Sequence, residues 1–223
     1  MKKIICLLFL LVVIFPASYS KDNSKLYLNL FEKASYISSK LNINITAIQL
    51  ALVGFEKLKA AGKIQNDTYL TIADFSKASS EERFYVINMN SIEIIIKSLV
   101  AHGRNSGLKF AKNFSNNNAS FQSSLGFYIT GESYKGKHGL ALELNGIENG
   151  INDNAKERGI VIHGADYVSE SLIKQQGFIG RSLGCPALPN DIVQNVINTI
   201  KGASCFFIYA PNQTYITKTK YRA

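Results

Sequence analysis

Apolar and polar positions change rhythm several times along the chain. Lys2 and Lys3 precede an unbroken apolar run at residues 4–15, and Pro16-Ala17-Ser18-Tyr19-Ser20 separates that run from Lys21 and Asp22. A charged start, a short apolar stretch and small residues make a secretory signal peptide, with cleavage expected after Ser20. The run is short for a membrane span, and an uncleaved N-terminal anchor is the alternative. Residues 21–41 are weakly amphipathic and helix-prone. A clearer helix follows: Thr46 and Gln49 have capping-box spacing, Ala47, Ile48, Ala51, Leu52, Phe55 and Leu58 make one apolar stripe, and Gly62 supplies a stop.

From Tyr69 the rhythm shortens to period two and to brief apolar runs. Strands are expected at 69–75, 83–88 and 92–100, the last two joined around Met89-Asn90-Ser91, with further strands at 126–130 and 159–163. Residues 169–176 predict a short helix closed by Gly177. Pro189-Asn190 opens another, with Ile192, Val193, Val196, Ile197 and Ile200 on one face and Gly202 after it. Residues 203–210 read as a buried strand ended by Pro211, and 215–223 as a tail or edge strand. Polar, Asn- and Gly-rich connections lie at 102–107, 113–124 and 146–154; loops of this kind often carry function. The pattern predicts an α+β fold in three parts: a signal peptide at 1–20, a helical N-terminal segment at 21–66 and a β-rich domain at 67–223.

Composition adds limits. The chain has 223 residues, 46% of them hydrophobic and 18% charged, so it is too apolar for a disordered protein and long enough to bury a core without staples. The net charge of +9 becomes +7 once Lys2 and Lys3 leave with the signal. The lysines are scattered and no basic run alternates with aromatics, which argues against nucleic-acid binding. A basic exported protein suits an anionic envelope polymer, and simple solubility accounts for the charge equally well. Asn-x-Ser/Thr sequons at Asn44, Asn66, Asn113, Asn118 and Asn212 are what so Asn-rich a chain produces by chance. His102, His138 and His163 stand far apart with no metal-ligand spacing, so neither a metal nor another cofactor is expected.

Of the three cysteines, Cys6 belongs to the signal. Cys205, in Ser204-Cys205-Phe206-Phe207-Ile208, reads as a buried structural residue. Cys185 lies in Gly180-Arg181-Ser182-Leu183-Gly184-Cys185-Pro186, a polar turn. There Gly184 allows close backbone approach and frees amides for a developing oxyanion, and Arg181 adds positive potential that favours thiolate. His163 ends the apolar run Gly159-Ile160-Val161-Ile162 and is followed by Gly164, a position suited to taking a thiol proton. The competing reading is a Cys185–Cys205 disulfide with His163 as a core residue. Every His precedes Cys185, which excludes the papain order. The caspase Gln-Ala-Cys motif is absent, and the only Arg after Cys185, Arg222, comes too late for a sortase.

Ile162-His163-Gly164, about twenty residues, then Ser182-Leu183-Gly184-Cys185 resembles the YkuD-type L,D-transpeptidase catalytic domain, and more closely the murein L,D-transpeptidase catalytic domain family. The similarity runs from about Thr68 to Pro211. It includes Ala101-His102-Gly103-Arg104-Asn105-Ser106-Gly107, Ser123-Ser124-Leu125-Gly126-Phe127-Tyr128, Thr130-Gly131-Glu132, Gly136-Lys137-His138-Gly139, and above all Val161 through Ser169 and Gly180 through Leu188. The resemblance implies a mainly β catalytic domain, Cys185 as nucleophile, His163 as base, and the Gly164 carbonyl as the group that orients the imidazole. It also implies an oxyanion hole from amides around Leu183 to Cys185, with Ser182 positioning them. The better-known branch has Ser-His-Gly-Cys followed by an apolar residue and Asn or Arg. Here Leu183 stands in place of that second His, and Pro186-Ala187 follow. His102 and His138 are candidates for the vacated role, and Tyr134 and Ser124 are further groove candidates; each reads equally well as a loop or turn residue.

The implied activity is a murein L,D-transpeptidase, exported to the periplasm or cell envelope, that acts on peptidoglycan stem peptides. It would release D-Ala through a thioacyl-enzyme and be acylated by carbapenem-type inhibitors. The alternatives are an L,D-carboxypeptidase using water and a non-catalytic peptidoglycan-binding module.

Overall fold

A computed structural model describes residues 21–136 and 139–222, with side chains from Leu28 onward. The signal-peptide region and His138 lie outside the described residues. Two helices open the chain, α1 (Lys21–Leu41) and α2 (Ile45–Ala60). Strands β1 (Asn66–Asp74), β2 (Phe84–Asn88) and β3 (Glu93–Ser98) follow, then β4 (Gly126–Gly136), β5 (Gly139–Gly146) and β6 (Val161–Gly164). The last part comprises α3 (Glu170–Gln176), β7 (Ala187–Leu188), α4 (Asn190–Ile200), β8 (Ser204–Tyr209) and α5 (Gln213–Lys218). The strands form one mixed sheet in the order β3-β2-β1-β8-β4-β5-β6-β7. This is an α+β fold.

The sheet centre is the most apolar part. β8 is buried along its whole length, parallel to β1 and antiparallel to β4. A strand covered on both faces reads as a continuous apolar run, as Cys205-Phe206-Phe207-Ile208 does. Phe127 of β4 stacks on Phe207 with ring centroids 4.3 Å apart and meets the edge of Tyr221 at 4.9 Å. Helix α2 lies directly over this cluster. A Cβ at Gly54 would stand 2.0 Å from the Phe127 ring, so only glycine lets the helix seat there. Ala47, Ile48, Ala51, Leu52, Phe55 and Leu58 are all buried, and Leu30, Ala34 and Ile37 of α1 complete the same core.

Several boundaries differ from the sequence reading for physical reasons. The α2 cap is Asn44, whose side-chain oxygen accepts from the amides of Thr46 and Ala47; the capping-box reading placed it two residues late. β4 continues through Gly136 and turns into β5, a hairpin whose outer part alternates polar and exposed residues and therefore has weak apolar periodicity. β7 is only two residues long and follows Pro186 directly. The expected C-terminal tail or edge strand contains a helix instead, α5, capped by Asn212. It is held by buried Glu148, whose carboxylate accepts from the Phe127 amide at 2.8 Å and the Tyr215 hydroxyl at 3.1 Å. The Thr219 hydroxyl donates to the same carboxylate at 2.5 Å. That anchor comes from seventy residues upstream, out of reach of any local pattern.

Candidate active site

The site lies at the β6–β7 end of the sheet. β6 pairs in parallel with β7, which places His163 opposite Ala187, two residues beyond Cys185. The loop that carries Cys185 is fixed on both sides by backbone bonds to residues 101–104. The Ala101 amide donates to the Ala187 carbonyl at 2.8 Å, the Ser182 amide to the His102 carbonyl at 3.0 Å, and the Arg104 amide to the Ser182 carbonyl at 2.8 Å. The loop is thus bolted to a strand-like segment although it belongs to no long strand itself.

Inside the loop, serines do the holding. The Ser182 hydroxyl accepts from the Gly184 amide at 3.0 Å and donates to the Cys185 carbonyl at 2.6 Å. The Ser123 hydroxyl accepts from the Gly103 amide at 3.1 Å and donates to the Gly184 carbonyl at 3.0 Å. The Gly184–Cys185 peptide therefore has its carbonyl turned toward Ser123. Gly184 itself has φ +130°, and a Cβ there would stand 2.9 Å from the Gln122 carbonyl oxygen, so both backbone and space require glycine. Ser182 occupies the Gly184 amide, whereas the amides of Leu183 and Cys185 donate to no backbone carbonyl among the described residues.

Cys185 and His163 both line one groove of about 770 Å³, together with Tyr134, Tyr167, Arg158 and Leu183. The His163 ring is buried, and its Nδ1 lies 2.8 Å from the Gly164 carbonyl oxygen. A carbonyl only accepts, so Nδ1 carries a proton in this contact and the neutral ring has its lone pair on Nε2. Cys185 is half-buried and Cys205 fully buried, and both thiols are free, so the disulfide alternative is not formed. Burial pushes the Cys185 thiol up, while the Val161 amide, the Arg158 guanidinium and its own amide pull it back down. Cys205 has burial alone, and its thiol is driven far above the ordinary range.

The remaining candidates divide. Tyr134 and Leu183 stand exposed on the groove wall. Gly164 and Ser182 also line it, and Arg181 reaches its rim. Arg181, however, spends Nη1 on the carbonyls of Arg104 and Gly107, both at 3.3 Å. The cation that bears on Cys185 is Arg158, which the sequence reading passed over because Lys156-Glu157-Arg158-Gly159 looks like an ordinary charged turn. His102 is wholly buried away from the groove: the Arg83 guanidinium donates to its Nδ1 at 2.7 Å, and its ring meets the edge of Phe75. Burial, then Arg83, brings its pKa down to about 4, so it stays neutral. Ser124 is also buried, bonded to the Tyr128 hydroxyl at 2.8 Å and to Arg158 at 3.2 Å. Among the described residues no three His, Cys, Asp or Glu side chains gather into a metal-binding group, and no helix is long and apolar enough to cross a membrane.

The model of the L,D-transpeptidase catalytic domain matches residues 39–209, most of the chain. The chain belongs to the L,D-transpeptidase catalytic domain family. The matched range begins inside α1 and includes α2 as well as the sheet. Among solved structures the chain is similar to an L,D-transpeptidase from Mycobacterium smegmatis, at 15% identity and TM-score 0.41, covering 64% of this chain and 59% of that one. It is also similar to the helical cell shape determining protein Pgp2 (K307A mutant) from Campylobacter jejuni, at 14% identity and TM-score 0.45, covering 72% and 57%. A third is an L,D-transpeptidase solved in complex with imipenem, at 13% identity and TM-score 0.40, covering 64% and 59%. The chain thus spans about three fifths of the length of these proteins. No curated protein matches.

Proposed function

We propose that this L,D-transpeptidase-family chain is a cysteine acyltransferase of the cell envelope that acts on peptidoglycan tetrapeptide stems. The observation that carries the reading is one groove lined by a free, half-buried Cys185 and by a His163 whose Nδ1 is committed to the Gly164 carbonyl. His163 Nε2 takes the thiol proton, and Sγ attacks the L,D-peptide carbonyl before the terminal D-Ala. The amides of Leu183 and Cys185 receive the oxyanion, held in place by Ser123 and Ser182. Collapse breaks the C–N bond, the imidazolium proton passes to the departing D-Ala amine, and a thioester remains on Cys185. An amine of a second stem then attacks the thioester, its proton goes to His163, and the thiol is regenerated with a cross-link formed. The apolar start at residues 4–15 and the basic net charge support export to an anionic envelope.

Purified wild type and Cys185→Ala incubated with tetrapeptide muropeptides test the proposal. Dimers with released D-Ala from wild type alone support it. Shortened monomers would assign the second step to water and make the chain an L,D-carboxypeptidase. Cross-linking by Cys185→Ala, or murein binding by a wild type whose thiol is inert, would overturn the acyl-enzyme. A carbapenem mass adduct on Cys185, absent from Cys185→Ala, is expected from the same thiol.

A further inference from the structure

Arg158 stands in the short approach to β6 and is half-buried. Its four terminal N–H groups are all spent on one loop. Nη1 donates to the Ser115 carbonyl at 2.8 Å and the Ser124 hydroxyl at 3.2 Å; Nη2 donates to the Gln122 carbonyl at 2.6 Å and the Ser120 hydroxyl at 3.3 Å. Every one of these acceptors is neutral. Among the described residues no carboxylate forms an ion pair with this guanidinium. A half-buried cation with its donors satisfied and its charge unmatched is costly unless a negative charge arises nearby. The catalytic loop is that neighbour: Nη2 lies 3.4 Å from the point where a Cβ on Gly184 would stand, and Arg158 and Cys185 line the same groove.

We propose that Arg158 is the positioning residue of the nucleophile, its guanidinium being the counter-charge of the Cys185 thiolate and the clamp that holds residues 115–124 against Gly184. The inference rests on Cys185 being the nucleophile. Around that thiol the groove also presents His163 from β6, Asp166 and Tyr167 from the turn after it, Arg181 from the catalytic loop and Tyr134 from β4. Asp166 accepts from Asn190 at 2.6 Å, and Arg181 is drawn toward the 104–107 carbonyls. Arg158 is therefore the cation whose head is fixed beside the loop by several bonds. Burial lowers its own pKa, and charge on Tyr128 and then on Cys185 raises it, the last being the reciprocal of its effect on the thiol. Gln122 completes the linkage, since the carbonyl that accepts from Arg158 at 2.6 Å is also the one that forbids a side chain at Gly184.

Iodoacetamide alkylation of Cys185 against pH tests this in the full chain, with mass spectrometry separating Cys185 from buried Cys205. Arg158→Gln and Arg158→Met both remove the charge, and a single folded neutral variant suffices. The alkylation midpoint is expected to rise by about one pH unit, leaving roughly tenfold less thiolate near neutral pH. Arg158→Lys restores the charge and is expected to return the midpoint toward wild type. Ser120→Ala with Ser124→Ala, which loosens the clamp but keeps the cation, is expected to leave it in place. A neutral variant with the wild-type midpoint would overturn the proposal, as would Arg158→Lys behaving like Arg158→Gln. The alkylation profile reads the thiol whether or not the chain cross-links murein, so a failed muropeptide assay and a failed Arg158 test are distinguishable.

Discussion

Cys185 and Cys205 are the same residue in one chain, and almost everything about their surroundings differs. Cys205 sits near the start of the central strand, its backbone in the ladder between β1 and β4 and its side chain fully buried in the core. Cys185 sits on a turn whose backbone is held by side chains: Ser182 on the Gly184 amide and the Cys185 carbonyl, Ser123 on the Gly184 carbonyl, and Arg158 behind Gln122. A ladder satisfies its amides with neighbouring strands and leaves none over. A turn held by hydroxyls can leave chosen amides pointing at a ligand. The reactivity proposed for Cys185 therefore rests on where the loop's hydrogen bonds go, together with a cation and an imidazole in the same groove.

The sharpest way to break this contrast is to exchange the losses. Cys185→Ala is expected to abolish turnover on muropeptides, whereas Cys205→Ala keeps kcat and loses only about 1 kcal/mol of stability, read as a lower midpoint in urea. Cys205→Ala inactivity in a folded protein would mean that the central strand contributes to the chemistry. His163→Ala is next in size. It is expected to cost about 10²–10⁴ in kcat with circular dichroism unchanged, since a positioned base contributes on that scale.

How much of this was legible beforehand follows the same division. The central strand is an unbroken apolar run and the α2 stripe and the α4 face are periodic, and each appears within a few residues of where the apolar pattern put it. Cys185 and His163 stood out because a glycine-flanked cysteine and a histidine at a strand end are local signals. Arg158 had no such signal: its meaning depends on a loop more than thirty residues earlier folding over it. His102, read equally as a groove or a loop residue, was left open for the opposite reason. Its Gly-rich surroundings read as an open loop, yet buried Arg83, donating through Nε and Nη2 to the Val100 carbonyl and through Nη2 to His102, draws that loop inward. The β4–β5 hairpin and α5 were missed because the hairpin carries few apolar residues outside its base and α5 depends on a distant carboxylate.

Ser123→Ala sharpens the comparison on the loop side. It leaves the Gly184 carbonyl and the Gly103 amide buried without their shared hydroxyl, a loss of about 1–3 kcal/mol that part of the ladder would not feel. The expected signature is a fall in kcat larger than any change in KM, because the Cys185 amide loses its orientation while the groove wall stays intact. Equal changes in both would place Ser123 in substrate binding instead.

The smallest effect concerns Glu148, on the ladder side. Burial pushes its carboxyl up, partly offset by the hydrogen bonds from Thr219, the Phe127 amide and Tyr215. A group whose folded pKa exceeds its unfolded value takes up a proton on folding. Its cost is absent below the unfolded pKa and fully present once pH rises through the folded pKa. Stability from this site therefore increases as pH falls from neutral toward the carboxylate range. Glu148→Gln, which stays neutral, loses that slope. Asp74 is raised by burial in the same direction and contributes to both proteins, so the difference between the two melting curves against pH isolates Glu148. A wild-type Tm that drops relative to Glu148→Gln on mild acidification would show that the hydrogen bonds outweigh burial and that the charged form anchors α5.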